Sequence, residues 1–219
     1  MEKQARLACI ASGSGTDFYA IATAWERGEI PEVSDIFLLS TNKEAGCIEK
    51  SKALSIPCTI IDHKDALGVH DWNRKINNFL VENKIDLTFL VGCIHFIDPD
   101  DHMYNIHPAD PHKHGGKGMY GLKVHEHVLA EILDEINRGM KVVDDQFYTL
   151  PTVHAVIKEY DRGRALLQAH VPIPISLVKA LYQKEITLTQ AAEELQKVVL
   201  PIEWKMLPAA VRIAASLSL

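Results

Sequence analysis

Asn105 and His107 stand two residues apart in Met103-Tyr104-Asn105-Ile106-His107-Pro108, a short apolar stretch that reads as a strand running into a loop. Side chains two apart on a strand share a face, so the pair offers an amide donor and an imidazole to the same side. That combination suits acyl-type transfer: the amide holds a developing oxyanion while the imidazole handles protons. The plainer reading is that both groups cap a turn or satisfy buried main chain. What else the chain brings to the end of this strand decides between them.

Residues 87–93 form another apolar run, broken by Gly92, whose carboxyl end falls beside Asn105 and His107. In an open α/β sheet that edge is where ligands bind. At the start of the chain, Leu7-Ala8-Cys9-Ile10-Ala11 is continuously apolar, as a central parallel strand should be. It ends in Ser12-Gly13-Ser14-Gly15-Thr16-Asp17, and residues 18–27 then read as a helix. Strand, glycine loop and helix turn free N–H groups toward an anion, which nominates Gly13, Ser14, Gly15 and Thr16. A dinucleotide fingerprint needs a further glycine where Phe18 stands, and an acid closing the second strand, where Ser40-Thr41-Asn42 follow residues 36–39. No Gly-Lys-Ser/Thr follows either. A phosphate monoester fits better than NAD or ATP, and a glycine turn without a ligand is the alternative.

Residues 43–53 and 71–83 read as helices, and residues 58–61 and 87–91 as strands. This alternation predicts right-handed crossovers and a mostly parallel, doubly wound α/β sheet. Residues 109–120, rich in His, Gly and Lys, read as a loop beside the Asn105/His107 pair. A helix resumes from Gly121, with Val124, Val128, Leu129 and Ile132 on one face. Residues 149–156 and 165–171 read as strands around a polar break at 159–163, and residues 187–200 and 209–217 as two C-terminal helices.

A chain of 219 residues with net charge -6 is sized for one domain and lacks the basic surface of a nucleic-acid binder. Cys9, Cys47, Cys58 and Cys93 show no C-x-x-C spacing and read as buried thiols in a reducing compartment. No signal-peptide core follows Met1, and no apolar run approaches the roughly 20 residues that span a bilayer. A cytoplasmic protein without membrane contact is expected. Seven of the eleven histidines lie between His95 and His127, including His112/His114 and His125/His127. No matching acid or cysteine completes a ligand set, so no metal is expected.

Five motifs, in order over nearly the whole chain, resemble those of the glycinamide ribonucleotide formyltransferase family. They are Ile10-Ala11-Ser12-Gly13-Ser14-Gly15-Thr16, Asn105-Ile106-His107-Pro108, Thr152-Val153-His154 followed by Asp161-Arg162-Gly163, Val171-Pro172-Ile173, and Glu203-Trp204-Lys205-Met206-Leu207-Pro208. The resemblance implies a Rossmann-like formyltransferase fold and a single domain over residues 1–219. Residues 1–100 would be its phosphate-binding half, 101–175 its catalytic and folate-loop half, and 176–219 its C-terminal helices. It implies formyl transfer from 10-formyltetrahydrofolate, as co-substrate, to the amine of glycinamide ribonucleotide in purine biosynthesis. Asn105 would donate to the oxyanion, and Asp161 would orient and charge-stabilise His107. Ile94, His95, Phe96, Ile97 and Val156 would line the folate site, and Glu203 would contact the acceptor. The partners implied are small molecules only, with the chain a monomer or homodimer.

Several positions depart from the family pattern. Asp17 replaces an asparagine directly after the phosphate loop, and a carboxylate there should repel phosphate unless it points away or caps the helix. Ile94-His95 replaces Met-Arg, and Val69 stands where an arginine is expected for the folate tail. Ala109-Asp110-Pro111 replaces Ser-Leu-Leu-Pro, with longer segments through Gly118 and between Gly139 and Thr149. These changes cluster around the acceptor and donor pockets. The alternative acceptor is therefore a different amine, such as an amino sugar, and the alternative class is a non-catalytic nucleotide- or folate-binding protein on the same fold.

Overall fold

The computed structural model describes residues 3–218. Its first half runs β1 (Ala5–Ala11), α1 (Thr16–Glu26), β2 (Val33–Ser40), α2 (Cys47–Ala53), β3 (Cys58–Ile60), α3 (Val69–Glu82) and β4 (Leu87–Leu90). Then follow β5 (Met103–His107), α4 (Pro111–His114), α5 (Leu122–Asn137), β6 (Tyr148–Thr149) and β7 (Thr152–Ala155). The chain closes with β8 (Ala165–Gln168), β9 (Val171–Pro172), α6 (Ile175–Tyr182) and α7 (Leu188–Ser218).

Seven strands form one sheet in the order β3-β2-β1-β4-β5-β7-β8. The first five run parallel, and β7 and β8 are added antiparallel. Strand order reverses about β1, between β2 and β4, which opens a crevice at the carboxyl ends of β1 and β4. This is the doubly wound, mostly parallel arrangement expected from the apolar runs. The alternation of β1 explains why both faces must be covered. Leu7, Cys9 and Ala11 pack with Phe18 and Ile21 of α1 and Leu207, Ala210 and Val211 of α7. Ala8 and Ile10 pack on the other face with Trp72, Ile76 and Phe79 of α3. A third cluster joins α5, α6 and the first half of α7 through residues such as Val128, Leu129, Val178 and Leu195.

Three expectations change. The strand read over residues 149–156 splits into β6 and β7, because Pro151 offers no N–H to a ladder. The run 165–171 likewise divides, and β9 pairs with β6 rather than extending β8. The two C-terminal helices are one, α7, which runs through Pro201 and Pro208. A proline inside a helix costs roughly 3 kcal/mol. Here Leu195 and Val199 on one side, and Leu207, Ala210, Val211, Ala214 and Ala215 on the other, are buried in two separate cores. Packing both flanks outweighs two missing hydrogen bonds. No helix among the described residues is long and apolar enough to cross a membrane.

Candidate active site

At the crevice lies a cleft of about 430 Å³ lined by Gly13, Ser14, Gly15 and Thr16 from the β1–α1 loop and Ile94, His95, Phe96 and Ile97 after β4. Asn105 and His107 of β5, Val156 and Asp161 after β7, and Glu203 of α7 complete it. Every site residue nominated from the sequence reaches this one cavity.

The glycine loop ends in Gly15, the N-cap of α1, in a left-handed conformation at φ 73° with no side-chain cap. A Cβ there would also collide with Cys47, so glycine is required. The first-turn N–H groups of α1 are thus left without a capping side chain and turn toward the cleft, the arrangement an anion needs. Ser12 ties this loop to the next one. Its hydroxyl donates to the Gly92 carbonyl at 2.7 Å and accepts the Ile94 N–H at 3.3 Å.

On the opposite side, the register of β5 against β7 sets Asn105 beside His154. Asn105 Nδ2 lies 3.3 Å from His154 Nε2, and His154 Nδ1 lies 3.0 Å from the Ala155 carbonyl. With Nδ1–H donated to that carbonyl, the neutral ring accepts one amide hydrogen of Asn105. The second amide hydrogen remains for an oxyanion in the cleft. The carboxylate of Asp161 sits 3.5 Å from His154 Nε2 and accepts the Gly116 N–H at 2.8 Å. When His154 is protonated, Nε2 turns from acceptor into donor toward Asp161. Asp161 itself is left-handed, φ 55°, a strained conformation for a residue with a side chain. Gly163 holds that turn, since a Cβ on it would overlap the Ala155 carbonyl.

The geometry corrects the expected pairing of Asp161 with His107. His107 is 3% exposed, and its Nε2 donates to the His114 main-chain carbonyl at 3.1 Å. That contact fixes the ring and leaves Nδ1 as the acceptor. The carboxylate acts on His107 through its field alone; it accepts the Gly116 N–H and lies 3.5 Å from His154 Nε2. Burial holds the His107 imidazole below its ordinary pKa, with Asp161 opposing that shift. Burial also works to raise Asp161, but the nearby His154 ring, the Gly116 N–H and the His107 charge bring it below the usual carboxylate range. His107 is thereby neutral and Asp161 charged near neutral pH.

His154 is the member that sequence reasoning left in a motif without a role. Only the β5–β7 register, a pairing of residues 49 apart, could have revealed it. The segment read as loop holds the short α4, whose N-cap Asp110 accepts the His112 N–H. Arg162 donates to the His112 carbonyl at 2.7 Å, so α4 is stitched to the Asp161 turn as well as to His107.

At the folate-side wall Ile97 is buried, Ile94 is 49% exposed, and Val156 is half-buried. Phe96 contacts Tyr160 at 5.2 Å between ring centroids, joining the loops after β4 and β7 across the cleft. His95 stacks on His63 at 4.1 Å, with Trp72 edge-on to both. At the other end, Glu203 is 4% exposed and Asp17 faces it from α1.

Comparison with known proteins identifies the family. The family model described as "Formyl transferase" matches residues 5–211. Phosphoribosylglycinamide formyltransferase, chloroplastic, of Vigna unguiculata is 30% identical over 182 residues, covering 78% of this chain and 52% of that protein. Its Arabidopsis thaliana counterpart is 30% identical over 200 residues, covering 84% of this chain and 62% of that protein. The chain thus spans between half and two thirds of these plant relatives. Among solved structures, glycinamide ribonucleotide transformylase 1 from Geobacillus kaustophilus superposes with TM-score 0.71 at 25% identity, covering 96% of this chain and 98% of that one. Phosphoribosylglycinamide formyltransferase from Brucella melitensis gives TM-score 0.71 at 25% identity, over 98% and 97% of the two chains.

Proposed function

This chain belongs to the formyl transferase family, and from that premise we propose that it moves a formyl group from 10-formyltetrahydrofolate to the amine of glycinamide ribonucleotide. The observation that carries the reading is the convergence, in one cleft, of an uncapped helix start with Asn105, His107 and Asp161. An anion site and an oxyanion donor in one cavity suit an acceptor with a phosphate at one end and an amine at the other. The relatives named above act, by their names, on that ribonucleotide.

The folate fits the wall after β4. Main chain at 92–97 is free of sheet pairing and offers polar groups, while Ile97 and Val156 provide apolar cover for a flat ring. The residues after β5 and β7 would then perform the chemistry. The acceptor amine attacks the formyl carbon, and the carbonyl oxygen gains negative charge that the free Asn105 N–H receives. His107, neutral and fixed by the His114 carbonyl, takes a proton from the attacking amine at Nδ1. Collapse of the tetrahedral adduct breaks the bond to N10, which receives a proton, so formylated amine and tetrahydrofolate leave. Asp161 stabilises, through its field, the positive charge that His107 acquires. Glu203 accepts a hydrogen bond from the acceptor at the far end.

The test is to supply the protein with 10-formyltetrahydrofolate and a panel of amines, following tetrahydrofolate release. Turnover with glycinamide ribonucleotide supports the reading. Turnover with another amine while glycinamide ribonucleotide stays inert would move the acceptor and keep the chemistry.

A further inference from the structure

His114 ends α4, and the last carbonyls of a helix have no partner inside it. The His114 carbonyl instead meets His107 Nε2 at 3.1 Å. The same segment supplies the Gly116 N–H to Asp161 and the His112 carbonyl to Arg162. The placement of α4 therefore sets the placement of His107. The connector from α4 to α5, residues 115–121, carries four glycines and fixes little direction of its own. The tie to α5 is the His114 side chain, which is 7% exposed. His127 and Glu131, four residues apart on α5, share the helix face that receives it. His114 Nδ1 lies 2.9 Å from His127 Nδ1, and His114 Nε2 lies 3.2 Å from Glu131 Oε2. The two rings meet edge-on, at 74° and 5.1 Å between centroids. A carboxylate only accepts, so His114 Nε2 carries a hydrogen. In the neutral ring Nδ1 is then bare, and His127 Nδ1 donates to it. Donation thus runs from His127 through His114 to Glu131, with both nitrogens of the buried ring satisfied. The two nitrogens serve different partners, so the three side chains do not converge on one point. No group able to hold a metal ion occurs among the described residues.

We propose that His127 and Glu131 are positioning residues for His107: they clasp the His114 ring to α5, so that the His114 carbonyl keeps the His107 imidazole in its Nε2–H form with Nδ1 open to the attacking amine. The proposal rests on the catalytic role given to His107 above. A carbonyl displaced by about 1 Å no longer accepts well from Nε2. The hydrogen is then free to reside on Nδ1, the atom that must be bare to take a proton from the amine. None of His114, His127 and Glu131 lines the cleft, so their effect on the reaction passes through the main chain of α4.

His127 and Glu131 are exposed on α5, so His127→Ala and Glu131→Ala should fold. Nitrogen-15 NMR of the imidazole rings, with His107 assigned by its loss in His107→Asn, reads the tautomer without any substrate. At about pH 8, where an ordinary imidazole is neutral, the parent should show His107 in the Nε2–H form alone. Each alanine variant should show a mixture of the two tautomers, and Glu131→Gln, which keeps an oxygen acceptor, should retain the parent form. In formylation assays Glu131→Ala should lower kcat by about tenfold, with KM for either substrate within about twofold of the parent. An unchanged His107 tautomer in both alanine variants overturns the proposal, whether or not the parent turns over any amine. A mixture in the variants beside a parent inert toward every amine supports the clasp and removes the formyl-transfer reading. A KM that rises as much as kcat falls overturns the positioning role, since α5 would then be supporting the whole cleft.

Discussion

Asn105 and His107 differ in what holds them, and that difference sets their expected behaviour. Asn105 spends one amide hydrogen on His154, which leaves the other for the oxyanion of the proposed reaction. Asn105→Ala is expected to lower kcat by about 10²–10³ with little change in KM for the folate, as loss of one oxyanion donor does elsewhere. Steady-state rates under saturation by each substrate in turn check this. His107, bonded to the His114 carbonyl, is pushed below its ordinary pKa by burial. The kcat profile should stay flat through neutrality and fall only at pH values below the usual imidazole range near 6.5; an acid limb centred above 6.5 would contradict this. The same shift bears on stability. An imidazole that binds its proton more readily unfolded withdraws stability as pH drops through about 6.5. Asp17 has the opposite sign. Its carboxyl, raised to about 6 in the fold, binds the proton more tightly there. Stability is therefore lost as pH climbs from the unfolded value toward the folded one. Above that window Asp17→Asn should be more stable than the parent, measured by urea denaturation at pH 8. Asn105 and His107 were nominated by their spacing, which is local, and Asp161 by the resemblance of residues 152–163 to a family motif. The hydrogen-bond partners were not legible: which imidazole meets Asp161 depends on the β5–β7 register, which local pattern does not encode.

The parallel strands were readable at the level of elements because each is a short run bounded on one side by glycine, serine or proline. The antiparallel additions were read as two strands, over 149–156 and 165–171, rather than four. β6, β7, β8 and β9 are between 2 and 4 residues long, too short for alternation to register. In α7 the rule that proline ends a helix lost to tertiary packing on either side of Pro201 and Pro208. The turn after β7 carries the sharper consequence. Gly163 lies against the Ala155 carbonyl, and the Gly116 N–H and the His112 carbonyl fix Asp161 and Arg162 from α4's side. Gly163→Ala must push that turn away from β7. It should cost about 2–4 kcal/mol of stability and lower kcat more than it raises KM for the acceptor, since the phosphate loop is on another element. Thermal melting together with steady-state kinetics separates the two effects.

Across the whole molecule, the sheet reverses its strand order about β1, and the cleft opens there with the phosphate loop on one side of β4 and the β5/β7 pair on the other. This gives one chain two ligand ends within a single cavity of about 430 Å³. Ligands that bind only the folded state add stability by mass action, by about 2.7 kcal/mol at 100 times Kd. A folate analogue without a formyl group should accordingly raise the melting temperature with or without a phosphate monoester present. The net charge of -6 argued against general nucleic-acid binding, and the anion-site expectation came instead from the glycine loop between β1 and α1. Composition said nothing of the acceptor, because specificity of that kind resides in a few positions that bulk composition does not weigh.

The most direct test of the central claim is the steady-state rate of glycinamide ribonucleotide formylation by the parent and by Asp161→Asn, with folate binding measured in both. The account predicts turnover by the parent, and in the variant a fall of at least about a hundredfold in kcat with folate affinity retained. Undiminished kcat in Asp161→Asn would contradict it, because the Asp161–His154–Asn105 arrangement would then have no part in the reaction.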